Sequence, residues 1–336
     1  MSKKLWVKVL VAALILLLAI ILLWGIRTRL QKKPVEKSSF LFGTLIRITA
    51  YGPNTSSALE AAFREMSRIH QLVDAEVGEL AQINKNAGRS PVPVNAELFT
   101  FLEEVFQLAQ ASEGYFNPVI GALVDLWDFG YQGKGRLPSV QEIQSVLPLT
   151  QSALVKFDPE KQTVFLPQAG MKLDLGGVAK GYALDRAWEI LRASGVRGAL
   201  LNGGESSIRV LGERPGGGPW RVALSHPRHA DWIGIIKLNS GQAIGTSADT
   251  QRYFEVDGRR YSHLLNPYTG YPPADLFAAI VIAETAFEAD LYSTAVFAAE
   301  GREREEYLAE RGLEGVLVDA GQQIIMTPAV EKMLLD

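Results

Sequence analysis

The residues best suited to chemistry in this chain lie at three places, and each suggests a different task. The first is Lys172-Leu-Asp-Leu-Gly-Gly-Val-Ala-Lys-Gly-Tyr-Ala-Leu-Asp185, which reads as a strand passing through Gly176 and Gly177 into a helix. Two residues without a Cβ let backbone approach a diphosphate closely, and the free N–H groups of a helix start favour negative charge. Lys180 adds a point charge there. A bare Gly-Gly more commonly marks only a tight turn with a solvated lysine, and both readings stand. The chain has neither a P-loop signature nor a G-x-G-x-x-G after a strand, so the better-known phosphate loops are excluded.

The second place is Asp290 and Thr294, four residues apart in a predicted helix over residues 288–299 and therefore on one face. Magnesium accepts a carboxylate, a hydroxyl, a backbone carbonyl and substrate phosphate oxygens. Equally, an Asp in the first turn of a helix complements its dipole, and a helical Thr bonds a carbonyl one turn back. The third is His263, in Arg260-Tyr-Ser-His-Leu-Leu-Asn-Pro-Tyr-Thr-Gly-Tyr-Pro273, between a strand-like run and a turn rich in Pro and Gly. An imidazole there can take a proton from a hydroxyl at neutral pH, or simply brace the turn. His70, His226 and His229 have no comparable surroundings and read as structural or exposed. Tyr115, Phe116, Trp127 and Phe129 offer flat faces to a ring system, although aromatics of this kind serve equally well as core.

Those groups need a scaffold, and periodicity outlines it. Residues 40–51 have strand composition, and Leu59, Phe63, Met66, Ile69 and Val73 fall on one face of a helix over residues 57–73. Asn95 caps another helix, and Ser139 with Glu142 forms a capping-box start. Beyond residue 155 short β-rich runs follow at residues 163–166, 172–175, 207–211, 220–225 and 233–238. Amphipathic helices are predicted over residues 178–193 and 288–299, ending at Gly195 and Gly301. No internal repeat interrupts this order, so one mixed α+β domain over residues 40–336 is expected.

Composition narrows the partners. A net charge of −3 and a pI near 5.9 provide no extended basic surface, so no nucleic-acid partner is expected. With no cysteine in 336 residues, disulfides, thiolate metal sites and thiol nucleophiles are excluded. Residues 5–24 form a 20-residue apolar run broken only by Lys8, long enough to cross a bilayer. The run ends in Trp24-Gly-Ile-Arg27, without the small residues of a cleavage site, and reads as a retained anchor within residues 1–30. A polar tether at residues 31–39, containing Pro34, would join it to the domain.

Seven stretches, in this order, resemble the ApbE family, the FAD:protein FMN transferases, between about Phe42 and Phe297. They are Phe42-Gly-Thr, the block from Gly114 to Gly130, Asp174 to Asp185, Leu201-Asn-Gly-Gly-Glu205, Gly245 to Glu255, His263 to Tyr271, and Ala289-Asp-Leu-Tyr-Ser-Thr294. The resemblance implies a T-fold-like domain of mixed sheets and packed helices that binds FAD and Mg2+ on the extracytoplasmic side of the plasma membrane. It assigns the metal to the backbone carbonyl of Gly177 with Asp290 and Thr294, and the flavin nucleotide to Phe42, Tyr115, Phe116, Asn117, Asp174, Lys180 and Leu264. His263 becomes the catalytic base. It further implies an acceptor protein, with a membrane redox subunit as the expected kind, whose Thr or Ser hydroxyl attacks the FMN phosphorus while AMP leaves. Where the family commonly has Asp, Gly, Asp and Gly, this chain has Asn117, Asp128, Glu205 and Ala248. Two other readings use the same residues: an Mg2+-dependent FAD pyrophosphatase, and a non-catalytic FAD-binding protein. Retention of His263 with Asp290 and Thr294 favours catalysis over storage.

Overall fold

A computed structural model describes residues 33–129 and 133–335; the predicted anchor at residues 5–24 lies outside them. The first part of the chain runs β1 (Val35–Leu41), β2 (Thr44–Tyr51), α1 (Thr55–Leu72), α2 (Glu79–Lys85), β3 (Val92–Pro93), α3 (Ala96–Ala111), α4 (Gly121–Leu126) and α5 (Val140–Val146). Then come β4 (Lys156–Asp158), β5 (Thr163–Phe165), α6 (Ala179–Ala193), β6 (Gly198–Gly203), β7 (Ser207–Gly212), β8 (Trp220–Ser225), β9 (Trp232–Leu238) and β10 (Ala243–Ala248). The last part is β11 (Tyr253–Val256), β12 (Arg259–Ser262), β13 (Leu276–Ala283), α7 (Ala286–Ala298), α8 (Arg304–Ala309), β14 (Glu314–Asp319), β15 (Ile324–Met326) and α9 (Pro328–Met333).

Side chains alternate across a strand, and this sheet buries both faces. Eight strands pair antiparallel in the order β1-β2-β6-β7-β10-β13-β14-β15. Ile46, Ile48, Ala199, Leu201, Ala279 and Val281 face the helices and the main core. Their neighbours Ile208, Val210, Ile244, Ile280 and Ile282 face the β8–β9 hairpin, whose Trp220, Val222, Ile236 and Leu238 cover them. A third cluster joins Trp127 and Phe129 to Tyr261 and Leu265, and so ties α4 and α5 to the β11–β12 ribbon. Among the described residues no helix is long and apolar enough to cross a membrane.

The caps read from sequence are present: Asn95 accepts from the Leu98 N–H at 2.9 Å, and Ser139 with Glu142 completes a capping box. Three expectations change. The run at residues 40–51 is a hairpin, because Phe42 and Gly43 take φ of 52° and 73° and reverse the chain. Residues 172–175 join no ladder and make one bridge, Ile120 to Lys172, so the glycine corner is entered from extended coil. The stretch read as tether is partly sheet, since β1 starts at Val35 and pairs along its length with β2.

Candidate active site

Helix α7 is apolar on nearly every side, AFEADLYSTAVFA, and is buried all round instead of along one stripe. It lies against β10 and beside α6, and two glycines set how closely. A Cβ on Gly245 would stand 2.1 Å from the Ala289 carbonyl oxygen, and one on Gly181 would stand 2.2 Å from that of Ala286. Only glycine permits either approach. The junction so formed holds Asp290, 5% exposed, whose carboxylate accepts from the Gly181 N–H at 2.9 Å and from the Ser207 hydroxyl at 2.7 Å. Burial pushes its pKa up to about 7, against the opposing pull of Lys180, Ser207 and the Gly181 N–H. Asp290 is the fifth residue of α7, so it does not serve the helix dipole.

One turn further on, the Thr294 hydroxyl donates to the Asp290 carbonyl at 3.1 Å and lies 3.2 Å from the Ser247 hydroxyl. Donating to the carbonyl uses the hydroxyl's proton and leaves oxygen lone pairs available. A Cβ on Gly177 would lie 3.5 Å from Thr294 Oγ1 and 3.1 Å from Phe116 Cε2, so the glycine corner, Thr294 and Phe116 border one space. A carboxylate that burial makes costly to ionise, beside a hydroxyl and a backbone corner, is an oxygen donor set that fits Mg2+.

The charges converge on the same place. Lys180, in the first turn of α6, favours the ionised form of Asp290 and disfavours the protonated form of His263. His263 follows β12. Its Nδ1–H donates to the Arg252 carbonyl at 3.2 Å, which leaves Nε2 as the basic nitrogen. Burial lowers its pKa to about 4, helped by Arg252 and Lys180.

The other predicted residues surround this centre less directly. Asp174 accepts from the Gly176 N–H at 2.8 Å and donates its own N–H to Pro118. Asn117 bonds the Thr150 carbonyl and the Val119 N–H, both at 2.8 Å, so its amide ties two loops together. Tyr115 meets Tyr268 edge-on at 5.4 Å, and Leu264 packs on the main core. Phe42 sits at the β1–β2 turn with its ring 4.8 Å from that of His70. The atoms nearest to a Gly177 Cβ belong to Phe116 and Thr294, not to Phe42.

Four further residues hold the site. Ser207 bonds the Asp290 carboxylate and Ser247 the Thr294 hydroxyl. Asp185, one turn beyond Gly181 on α6, accepts from the N–H groups of Ala286 and Phe287 at 2.9 and 3.0 Å and so caps α7. It also pairs with Arg209, which lies on the same face of β7 as Ser207. Burial pushes the Asp185 pKa up to about 6, with Arg209 opposing. Asp185→Ala leaves a buried guanidinium unpaired and is expected to cost about 3–5 kcal/mol. Urea unfolding checks this, and an unchanged midpoint would mean that the pair does not anchor α7.

The model of the ApbE family matches residues 42–317. A protein of Klebsiella pneumoniae (strain 342) named FAD:protein FMN transferase is 35% identical over 266 residues, which are 77% of this chain and 81% of that one. The ApbE protein of Thermotoga maritima superposes at a TM-score of 0.84 and 33% identity, over 90% of this chain and 100% of the other. The apo form of the Pseudomonas stutzeri flavinyl transferase ApbE gives 0.79 at 27% identity, over 90% and 97%. These mixed α+β structures share the layered arrangement described above.

Proposed function

Since the chain belongs to the ApbE family, we propose that it is an FAD:protein FMN transferase, joining the FMN phosphate of FAD to a Thr or Ser hydroxyl of another protein. The observation that carries this reading is the meeting of Gly177, Thr294 and Asp290 where α6 crosses α7, within the field of Lys180, a charge that also acts on His263. Asp290, Thr294 and the Gly177 carbonyl would hold Mg2+. When bound, that ion neutralises charge on the diphosphate oxygens.

The chain's own residues do the rest. Lys180 and the N–H groups of the glycine corner draw the diphosphate toward the start of α6. Phe116, 3.1 Å from where a Gly177 Cβ would stand, gives the flavin nucleotide an apolar wall. His263 Nε2 takes the proton of the acceptor hydroxyl as its oxygen bonds to the FMN phosphorus. The bond from that phosphorus to the bridging oxygen breaks, and AMP leaves with the oxygen.

The test incubates the chain with FAD, Mg2+ and candidate acceptors, then looks for fluorescent flavin that survives denaturation. The apolar run at residues 5–24 makes membrane redox subunits the first acceptors to try. Covalent flavin on a Thr or Ser, with AMP released in equal amount, is the expected result. Free FMN alone would identify a pyrophosphatase instead.

A further inference from the structure

His263 stands just past the end of the β11–β12 ribbon, and the register places one residue directly across from it. The pairs run Val256 with Arg259, Glu255 with Arg260, Phe254 with Tyr261 and Tyr253 with Ser262. The His263 N–H then donates to the Arg252 carbonyl at 3.0 Å, which carries the pairing one step further. Arg252 is therefore opposite His263, and residues opposite each other on an antiparallel pair have Cβ atoms about 5 Å apart.

Alternation fixes the face on which they meet. Phe254 and Tyr261 turn into the cluster around Trp127, so Arg252 and His263, two residues away on each strand, turn the same way. Two side-chain bonds agree. The Arg252 guanidinium donates to the carbonyl of Phe129, a member of that cluster, at 3.4 Å, and the His263 ring folds back onto the Arg252 carbonyl. A guanidinium and the base of the proposed transfer thus share one end of one face.

Partners separate Arg252 from the arginines around it. Arg228 pairs with Asp249 and Arg260 with Glu255, while Arg259 lies over the Tyr261 ring at 5.1 Å. Arg252 is exposed, and among the described residues it has neither a carboxylate partner nor a ring beneath it. Its bond to Phe129 uses one of the five N–H donors of a guanidinium, and the others remain available.

We propose that Arg252 is a catalytic residue, whose remaining N–H groups donate to the non-bridging oxygens of the FMN phosphate while the acceptor hydroxyl attacks. This rests on the transferase reading. The acceptor oxygen bonds to the FMN phosphorus and its proton passes to His263 Nε2. The bond to the bridging oxygen breaks, and AMP leaves with that oxygen and the electron pair; Arg252 itself is unchanged. A base stands beside the attacking oxygen, so a guanidinium on the same face meets the phosphorus under attack and not the departing AMP. Charge there spreads over the equatorial oxygens, and a planar fork matches two of them.

The test uses the full chain, FAD, Mg2+ and the acceptor that becomes labelled in the preceding experiment, at pH 8. Arg252→Ala is expected to lower kcat by about 10²–10³-fold, with the FAD dissociation constant within about three-fold of wild type. Guanidinium ion added to that variant is expected to restore part of the rate, and Arg252→Lys, which keeps the charge without the fork, to fall between. The pH removes a second explanation. Loss of a neighbouring cation raises the His263 pKa from about 4 toward its ordinary 6.5, so the ring is neutral at pH 8 either way and a slower rate does not come from its protonation. A wild-type rate in the Ala variant overturns the proposal and leaves the transferase reading standing. Weaker FAD binding that accounts for the whole loss assigns Arg252 to ground-state binding and overturns it equally. So does a loss that guanidinium leaves untouched and that comes with a lower thermal midpoint, which would make Arg252 a brace for the Phe129 loop. If the wild-type chain labels no acceptor, the transferase reading fails, and this inference with it.

Discussion

Replacing Asp290 by Asn is expected to abolish flavin transfer while making the metal-free protein more stable at pH 8. The loss follows from the donor set. Asn is neutral and a poor ligand for a hard cation, and the several kcal/mol of charge stabilisation that depend on the carboxylate correspond to about 10³-fold or more in rate. The gain in stability follows from burial, which pushes the Asp290 pKa from an ordinary 3.8 up to about 7. Between those values the folded chain binds more protons than the unfolded one, so stability falls as pH rises, and the whole cost is present above about 7. The Asn side chain still accepts the Gly181 N–H, and the Ser207 hydroxyl can rotate to accept from its amide. Thermal unfolding in a chelator is therefore expected to show a higher midpoint for the variant at pH 8, converging with wild type near pH 4. Normal labelling by the variant would remove Asp290 from the mechanism. A deficit in stability that persists at every pH would mean that the carboxylate is a structural bond and not a strained ligand.

The groups of the site were readable because chemistry shows in residue type and spacing. Asp290 and Thr294 share a face through their four-residue separation, and Gly177 and Lys180 flank a helix start. The context of Asp290 was less readable. A helix start at residue 288 puts Asp290 in the first turn, where it would serve the dipole. The actual cap is Thr285, which accepts from the Glu288 N–H at 3.1 Å, and the shift moves Asp290 into the buried second turn. β6 and β10 carry no clear strand signal, because GALLNG and AIGTSA are made largely of small residues with weak strand preference. At Gly245 that small size is demanded by the backbone of α7, a constraint that exists only once the layers are assembled. Asp185 and Arg209 carry no shared periodicity. Their pairing needs a helix and a strand to meet, and no local pattern reports it.

His263→Ala is expected to slow transfer by roughly 10²–10⁴-fold while FAD still binds. The imidazole is held in one tautomer by the Arg252 carbonyl, which fixes Nε2 as the proton acceptor. Its pKa of about 4 is set first by burial, then by the charges of Arg252 and Lys180, so the ring is neutral at pH 7 and ready to accept. A bound anionic diphosphate offsets both cations and raises the basicity toward the working pH. The linkage has the opposite sign to that of Asp290. Below an unfolded value near 6.5 the unfolded chain binds more protons than the folded one, so this histidine's contribution to stability is lost as pH falls from 6.5 toward 4. His263→Ala should therefore flatten the acid limb of stability as well as remove the base. A bracing role would flatten that limb too, so the deciding readout is chemical. Added imidazole should restore part of the transfer rate to the Ala variant without changing its thermal midpoint. If it restores nothing, and FAD affinity falls together with the rate, the histidine shapes the loop and the proton goes elsewhere.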